Sequence, residues 1–147
     1  MSGETAEVWG APKLLETNGL VIPNGSVVLA GTVNYDKAVD GLNYPDAQFI
    51  LSCAFATAPI EGSLIAVYAR TMGLDGALNA QVPEASRPTK RIGYFEADNV
   101  TSAQVMDFIA TDVPRIAQYY LHNVNTGQSL GAGWRLMVVP RTYRVAP

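Results

Sequence analysis

The chain has 147 residues, of which 48% are hydrophobic and only 16% charged, with a net charge of −3 and a pI near 5.0. This length suits one domain, and an acidic chain lacks the concentrated positive surface that nucleic-acid binding requires. No apolar run approaches the ~20 residues of a membrane helix, and the start MSGETAEVWG lacks the features of a secretory signal. We therefore expect no nucleic-acid partner, no membrane partner and synthesis in the cytoplasm.

Residues 1–25 show neither a period of two nor a period of 3.6, and prolines and Asn-Gly pairs punctuate them with turns. We interpret them as an extended N-terminal arm that precedes a folded domain at residues 26–147. The arm is too apolar for a free linker, so it packs either on its own domain or on a partner. The arm residues that we expect to bind a partner are Trp9, Leu14 and Leu15.

Period-two patterns and turn signals predict seven or eight strands after the arm. They cover residues 26–33, 47–55, 63–70, 92–97, 105–111, 115–123 and 133–140, with a last short strand after residue 140. The segment 105–111 also fits a short helix that begins at a Ser or Thr cap. Residues 123–131 are predicted to form a hairpin loop.

The most apolar stretch, residues 47–70, predicts two strands joined by a short turn. The first strand alternates, whereas the second is apolar on both faces, as in the middle of a two-layered structure or at a subunit contact. We expect the remaining strands to assemble on this pair. The expected core residues are Phe49, Leu51, Leu64, Val67 and Trp134.

Many short strands with little helix predict an all-β protein. The expected architecture is a β-sandwich of the jelly-roll type with an extended N-terminal arm. The low charge content and the two-sided apolar strand also favour self-association, so we expect a homo-oligomer, and a trimer in particular.

An irregular segment at residues 71–91 separates two predicted strands. Loops of about twenty residues are uncommon in compact domains and are usually functional or ordered by a partner. The basic end of this loop is most simply a solvated or salt-bridged group, and it is also the second candidate for partner binding. Its residues are Arg87, Lys90 and Arg91.

The sequence nominates no catalytic residues, no metal site and no cofactor site. His122 is the only histidine, which excludes a His-based metal cluster, and no residue pattern supplies it with a partner for base catalysis. The acidic residues are scattered in turns without a calcium-loop spacing, and no Gly-rich phosphate loop is present. Cys53 lies at a core-facing position, which is typical of a buried, inert thiol. We therefore predict a protein that is not an enzyme.

Three segments carry a resemblance to a known class of proteins. They are VIPNGSVVLAG (21–31), SLIAVYARTMGLDGALNAQVPEASRPTKRIGYF (63–95) and YYLHNVNTGQSLGAGWRLMVVPRTY (119–143). Over residues 20–143 the chain resembles small jelly-roll structural proteins of tailed bacteriophages, among them the decoration or cement proteins of the capsid. The resemblance implies a virion protein that binds the major capsid protein, often as a trimer, with an N-terminal arm in contact with the capsid.

The expected function is therefore that of a capsid decoration protein that bridges capsomers and stabilises the head. A tail or baseplate component is an alternative within the same class. A carbohydrate-binding sandwich module is an alternative from another class, because such domains use exposed aromatic residues and the chain offers several, including Trp9.

Overall fold

A computed structural model describes residues 5–31, 34–72, 82–86 and 90–145. The described residues form ten strands and no helix, which confirms the prediction of an all-β sandwich. The strands are β1 (Thr5–Trp9), β2 (Lys13–Glu16), β3 (Val27–Leu29), β4 (Tyr35–Asp36), β5 (Asp46–Cys53), β6 (Ser63–Thr71), β7 (Arg91–Ala97), β8 (Gln104–Ala110), β9 (Ile116–Asn123) and β10 (Arg135–Val145).

The strands make two antiparallel sheets that enclose one core. Sheet I has the order β1-β10-β5-β8, and β2 also pairs with β10. Sheet II has the order β3-β9-β6-β7, and β4 also pairs with β9. The chain therefore changes sheet repeatedly, because β1, β2, β5, β8 and β10 belong to sheet I and the strands between them belong to sheet II.

Aromatic side chains connect the two sheets across the core. Phe49 of β5 stacks on Phe108 of β8 with ring centroids 5.3 Å apart and meets Tyr119 of β9 edge-on at 4.9 Å. Phe95 of β7 lies 4.9 Å from Phe108. Offset and edge-on pairs of this kind contribute about 0.5–1.5 kcal/mol each beyond the burial of their area.

Most of the predicted core is confirmed. Phe49, Leu51, Val67 and Trp134 are buried. The prediction for Leu64 is wrong, because β6 directs Ile65 and Val67 toward the core and Leu64 therefore points to the outer side of sheet II, where it is half-buried.

The strands at the most apolar stretch exist as predicted, but they do not form a pair. β5 pairs with β10 and β8, whereas β6 pairs with β9 and β7 in the other sheet. The predicted hairpin at residues 123–131 is wrong for the same reason, because it joins β9 of sheet II to β10 of sheet I. Segment 105–111 is a strand, not a helix.

The extended arm predicted at residues 1–25 is not confirmed, because part of this segment forms strands. β1 and β2 both pair with β10 and so extend sheet I. Leu15 is 3% exposed and lies in the core, and Ile22 is buried where it bridges to Leu130. These residues pack on their own domain, which is one of the two alternatives that the sequence left open.

The long loop predicted at residues 71–91 is described only in part. Thr71 is the last residue of β6, and Arg91 is the first residue of β7. Residues 73–81 and 87–89 lie outside the described residues, and Arg87 of the predicted basic cluster is among them.

Candidate functional site

The outer face of sheet I combines exposed apolar side chains with few charges. Alternate residues of β8, β5, β10 and β2 point outward, because successive side chains of a strand lie on opposite faces. The pairing register arranges them in three rows across the strands. The rows are Val105, Ser52 and Arg135; Asp107, Ile50, Met137 and Leu14; and Ile109, Gln48 and Val139.

A shallow depression of about 70 Å³ lies in this face. It is lined by Leu14, Ile50, Ser52, Arg135 and Met137. The short side chain of Ser52 leaves the space between its longer neighbours. A volume of this size accommodates the end of one aliphatic side chain rather than a cofactor, since small-molecule sites usually measure about 300–1,000 Å³.

Two charged residues stand on either side of the depression without forming an ion pair. Among the described residues, neither Arg135 nor Asp107 lies within salt-bridge distance of an opposite charge. Gln48 donates a hydrogen bond of 2.8 Å to Asp107 Oδ2, which holds that carboxylate in place on the outer face. The face is therefore apolar at its centre, with one cation and one anion at its margins.

The same face continues into a two-stranded ribbon. β5 pairs with β10 only as far as Arg141, whereas β1 pairs with β10 from Arg141 to Val145. The ribbon, made of Thr5–Trp9 and Arg141–Val145, therefore extends beyond the end of β5 by about four residues of each strand, or roughly 13 Å. We call it the terminal ribbon.

Arg141 organises the aromatic residues at the base of the ribbon. Its guanidinium carbon lies 4.5 Å from the ring centroid of Tyr143 and 5.6 Å from that of Trp9, within cation–π range. The guanidinium donates hydrogen bonds to the Glu7 carboxylate and the Tyr143 hydroxyl. The hydrogen bond to Glu7 is the main reason why the pKa of Arg141 is raised above its usual value.

This arrangement places two large aromatic side chains beside one guanidinium and leaves them partly open to solvent. Trp9 is 41% exposed and Tyr143 is 53% exposed, whereas Arg141 between them is buried. Trp, Tyr and Arg are the residue types enriched at the centres of surfaces that contact another macromolecule.

The predicted partner-binding residues of the arm separate into two environments. Trp9 and Leu14 lie on the outer face of sheet I, about four residues apart along β10. Leu15 is directed into the core and is not available to a partner.

The two described residues of the predicted basic group, Lys90 and Arg91, lie elsewhere. Lys90 is exposed, and Arg91 begins β7 in sheet II, where its guanidinium lies 4.4 Å above the ring of Tyr94. The structure therefore does not bring Lys90 or Arg91 together with Trp9 and Leu14.

Sequence reasoning missed Arg141, Tyr143 and the depression. One signal was present, because alternate positions of one uninterrupted strand carry residues of one face. These residues are Arg135, Met137, Val139, Arg141 and Tyr143. The predicted strand ends at residue 140, whereas β10 continues through Pro140 to Val145.

The other side chains considered for chemistry, Cys53 and His122, are buried. Cys53 is buried, and burial raises its thiol pKa to about 12. His122 is buried on the outer side of sheet II, with its Nδ1 atom 2.6 Å from the Tyr68 hydroxyl, and burial is the main cause of its lowered pKa. In the ranges that the structure describes, no three His, Cys, Asp or Glu side chains are grouped to hold a metal ion, and no helix is available to cross a membrane.

Comparison with known proteins gives no match. No protein-family model fits the chain, and no curated protein or solved structure is significantly similar to it.

Proposed function

We propose that the chain is a non-enzymatic structural protein of a tailed-bacteriophage virion, and specifically a decoration protein that binds the major capsid protein on the outside of the head. The bacteriophage assignment rests on the sequence resemblance over residues 20–143. The strand order supports a jelly roll, since the chain passes repeatedly between two antiparallel layers, as the chain of a jelly roll does.

The observation that carries the proposal is the terminal ribbon. Trp9 and Tyr143 are large, partly exposed and in contact with Arg141, on a ribbon that extends past the end of β5. Rigid aromatic side chains lose little entropy on binding and are frequent anchors of protein interfaces. We assign the ribbon the role of the capsid contact that the resemblance gives to an N-terminal arm.

The protein would stabilise the capsid through many weak contacts. One ribbon buries too little area for tight binding by itself, because stable interfaces bury about 800 Å² per partner. Subunits that are linked to one another attach cooperatively, because the first contact raises the effective concentration of the next. An oligomer that spans two capsomers then resists their separation.

A binding assay with purified particles of the phage that encodes the chain tests the proposal. Trp9→Ala and Tyr143→Ala are expected to weaken attachment to particles stripped of this protein at least tenfold. Val39→Ala is the matched control, because Val39 is a highly exposed apolar residue that lies outside the outer face of sheet I. Equal attachment of all three variants and the unchanged chain would contradict the role of the ribbon.

The two alternatives predict different results. A tail or baseplate component would bind tails and not heads through the same ribbon. A carbohydrate-binding module would use the exposed parts of Trp9 and Tyr143. A glycan array with the unchanged chain and with Trp9→Ala detects that activity, since only the unchanged chain would then bind.

A further inference from the structure

The outer face of sheet I carries two complementary features that cannot meet within one chain. Arg135 and Asp107 are two strands and one row apart, so their Cα atoms are separated by roughly 12 Å. The depression lies beside Arg135, and the most exposed aliphatic side chain of the face, Val105 at 71%, lies beside Asp107. The face therefore presents a hollow with a cation on one side and a protruding side chain with an anion on the other.

A two-fold axis parallel to the strands would place the hollow of one copy opposite the protruding side chain of the other. Such an axis above β5 places β8 of one copy over β10 of the other while keeping the rows in register. Val105 of one copy then lies over the depression and Arg135 of the other copy. Asp107 of the first copy is one row away from that Arg135. An axis across the strands would instead oppose Asp107 to Asp107, which is unfavourable.

We propose that the chain forms a two-fold dimer through the outer faces of two sheets I. Val105 of each copy enters the depression of the other, and Arg135 of each copy pairs with Asp107 of the other. Ile50 of one copy then packs against Ile50 of the other close to the axis. The two sheets pack face to face with their strands aligned.

The size of the face sets the strength of this dimer. Seven residues each of β8, β5 and β10 and the four residues of β2, in strands about 4.8 Å apart, offer roughly 400 Å² per copy. This is about half of what a standard interface buries. We therefore expect a reversible dimer that forms at high micromolar concentration. The terminal ribbons of both copies lie at the same end of such a dimer, which leaves them available for another partner.

Charge reversal in trans tests the dimer without reference to any virion. Arg135→Glu and Asp107→Arg, each alone, place like charges in both contacts and are expected to weaken dimerisation at least tenfold in sedimentation equilibrium. An equimolar mixture of the two single variants regains the dimer. In a mixed dimer the two substituted side chains, now of opposite charge, meet in one contact, and the native pair of Arg135 and Asp107 is kept in the other. The double variant regains the dimer as well.

Two controls separate the contact from effects on folding or on net charge. The melting temperature of each variant should stay close to that of the unchanged chain, because both residues are exposed. Arg115→Glu makes the same charge change at an exposed residue outside the outer face of sheet I and should leave dimerisation unchanged. A chain that stays monomeric up to about 1 mM, a trimer, or a mixture that fails to regain the dimer would each overturn the inference. None of these results would decide whether the ribbon binds capsids.

Discussion

Leu14 and Leu15 are neighbours in the sequence but face opposite sides of sheet I. Leu15 is 3% exposed and packs in the core, whereas Leu14 lines the depression on the outer face. Strand alternation alone produces this division, so one short segment contributes both to stability and to the contact surface.

Truncation of these two leucines should therefore have unequal effects. Leu15→Ala is expected to lower the free energy of unfolding by about 2–5 kcal/mol, because it removes buried methyl groups and leaves a cavity. Leu14→Ala is expected to cost less than about 1 kcal/mol, because its side chain lies at the surface. Urea denaturation of both variants checks the difference. Equal losses of unfolding free energy would mean that Leu14 and Leu15 are assigned to the wrong faces of β2.

Deletions at the N-terminus separate the ribbon from the core. Removal of residues 1–9 takes away β1 and the Trp9 side chain but keeps Leu15, so the chain should still fold cooperatively, with a lower melting temperature. Removal of residues 1–16 also deletes β2 and Leu15 and should destabilise the sandwich by several kcal/mol more. Thermal melts that give the same stability for both deletions would show that β2 does not support the core.

Stability should depend on pH through the only histidine. The folded chain lowers the pKa of His122 from 6.5, chiefly because the ring is buried, so the unfolded chain binds a proton more readily than the folded chain. The contribution of neutral His122 is complete above pH 6.5 and is lost as the pH falls from there through the folded pKa. Urea titrations at about pH 7.5 and about pH 5.5 should show this loss, and the loss should shrink in His122→Gln. An identical pH slope in both proteins would exclude His122 as its source.

Close packing at Gly93 gives a further test. A methyl group at this position would overlap the Phe108 ring, so Gly93→Ala is expected to destabilise the chain by about 1–3 kcal/mol. Phe108→Leu, which removes the ring, should cost less in the Gly93→Ala background than in the unchanged chain. A double-mutant cycle measures this coupling, and additive effects would mean that the two residues do not compete for space.

Local patterns in the sequence predict the strands well and their partners poorly. Alternation at Phe49 and Leu51 identifies β5 and its buried face, because that signal lies within one strand. The separation of β5 and β6 into different sheets depends on contacts with β8, β9 and β10, far away in the sequence. No periodicity within β5 and β6 records those contacts.

The candidate site is also predicted only in part from the sequence. Trp9 and Leu14 can be selected from the sequence because an apolar N-terminal segment needs somewhere to pack. The association of Trp9 with Arg141 and Tyr143 cannot be predicted, because it requires the two ends of the chain to pair as β1 and β10. The prediction misplaces Leu64 because both faces of β6 are apolar, so the sequence does not show which of its residues face the core.

An electron cryomicroscopy map of the virion tests the proposed function most directly. We predict sandwich-shaped density on the outside of the head, at junctions between capsomers, with the terminal ribbon of Thr5–Trp9 and Arg141–Val145 directed at the capsid surface. Density for the chain in the tail, density with the ribbon directed to solvent, or a virion that lacks the chain would contradict the account.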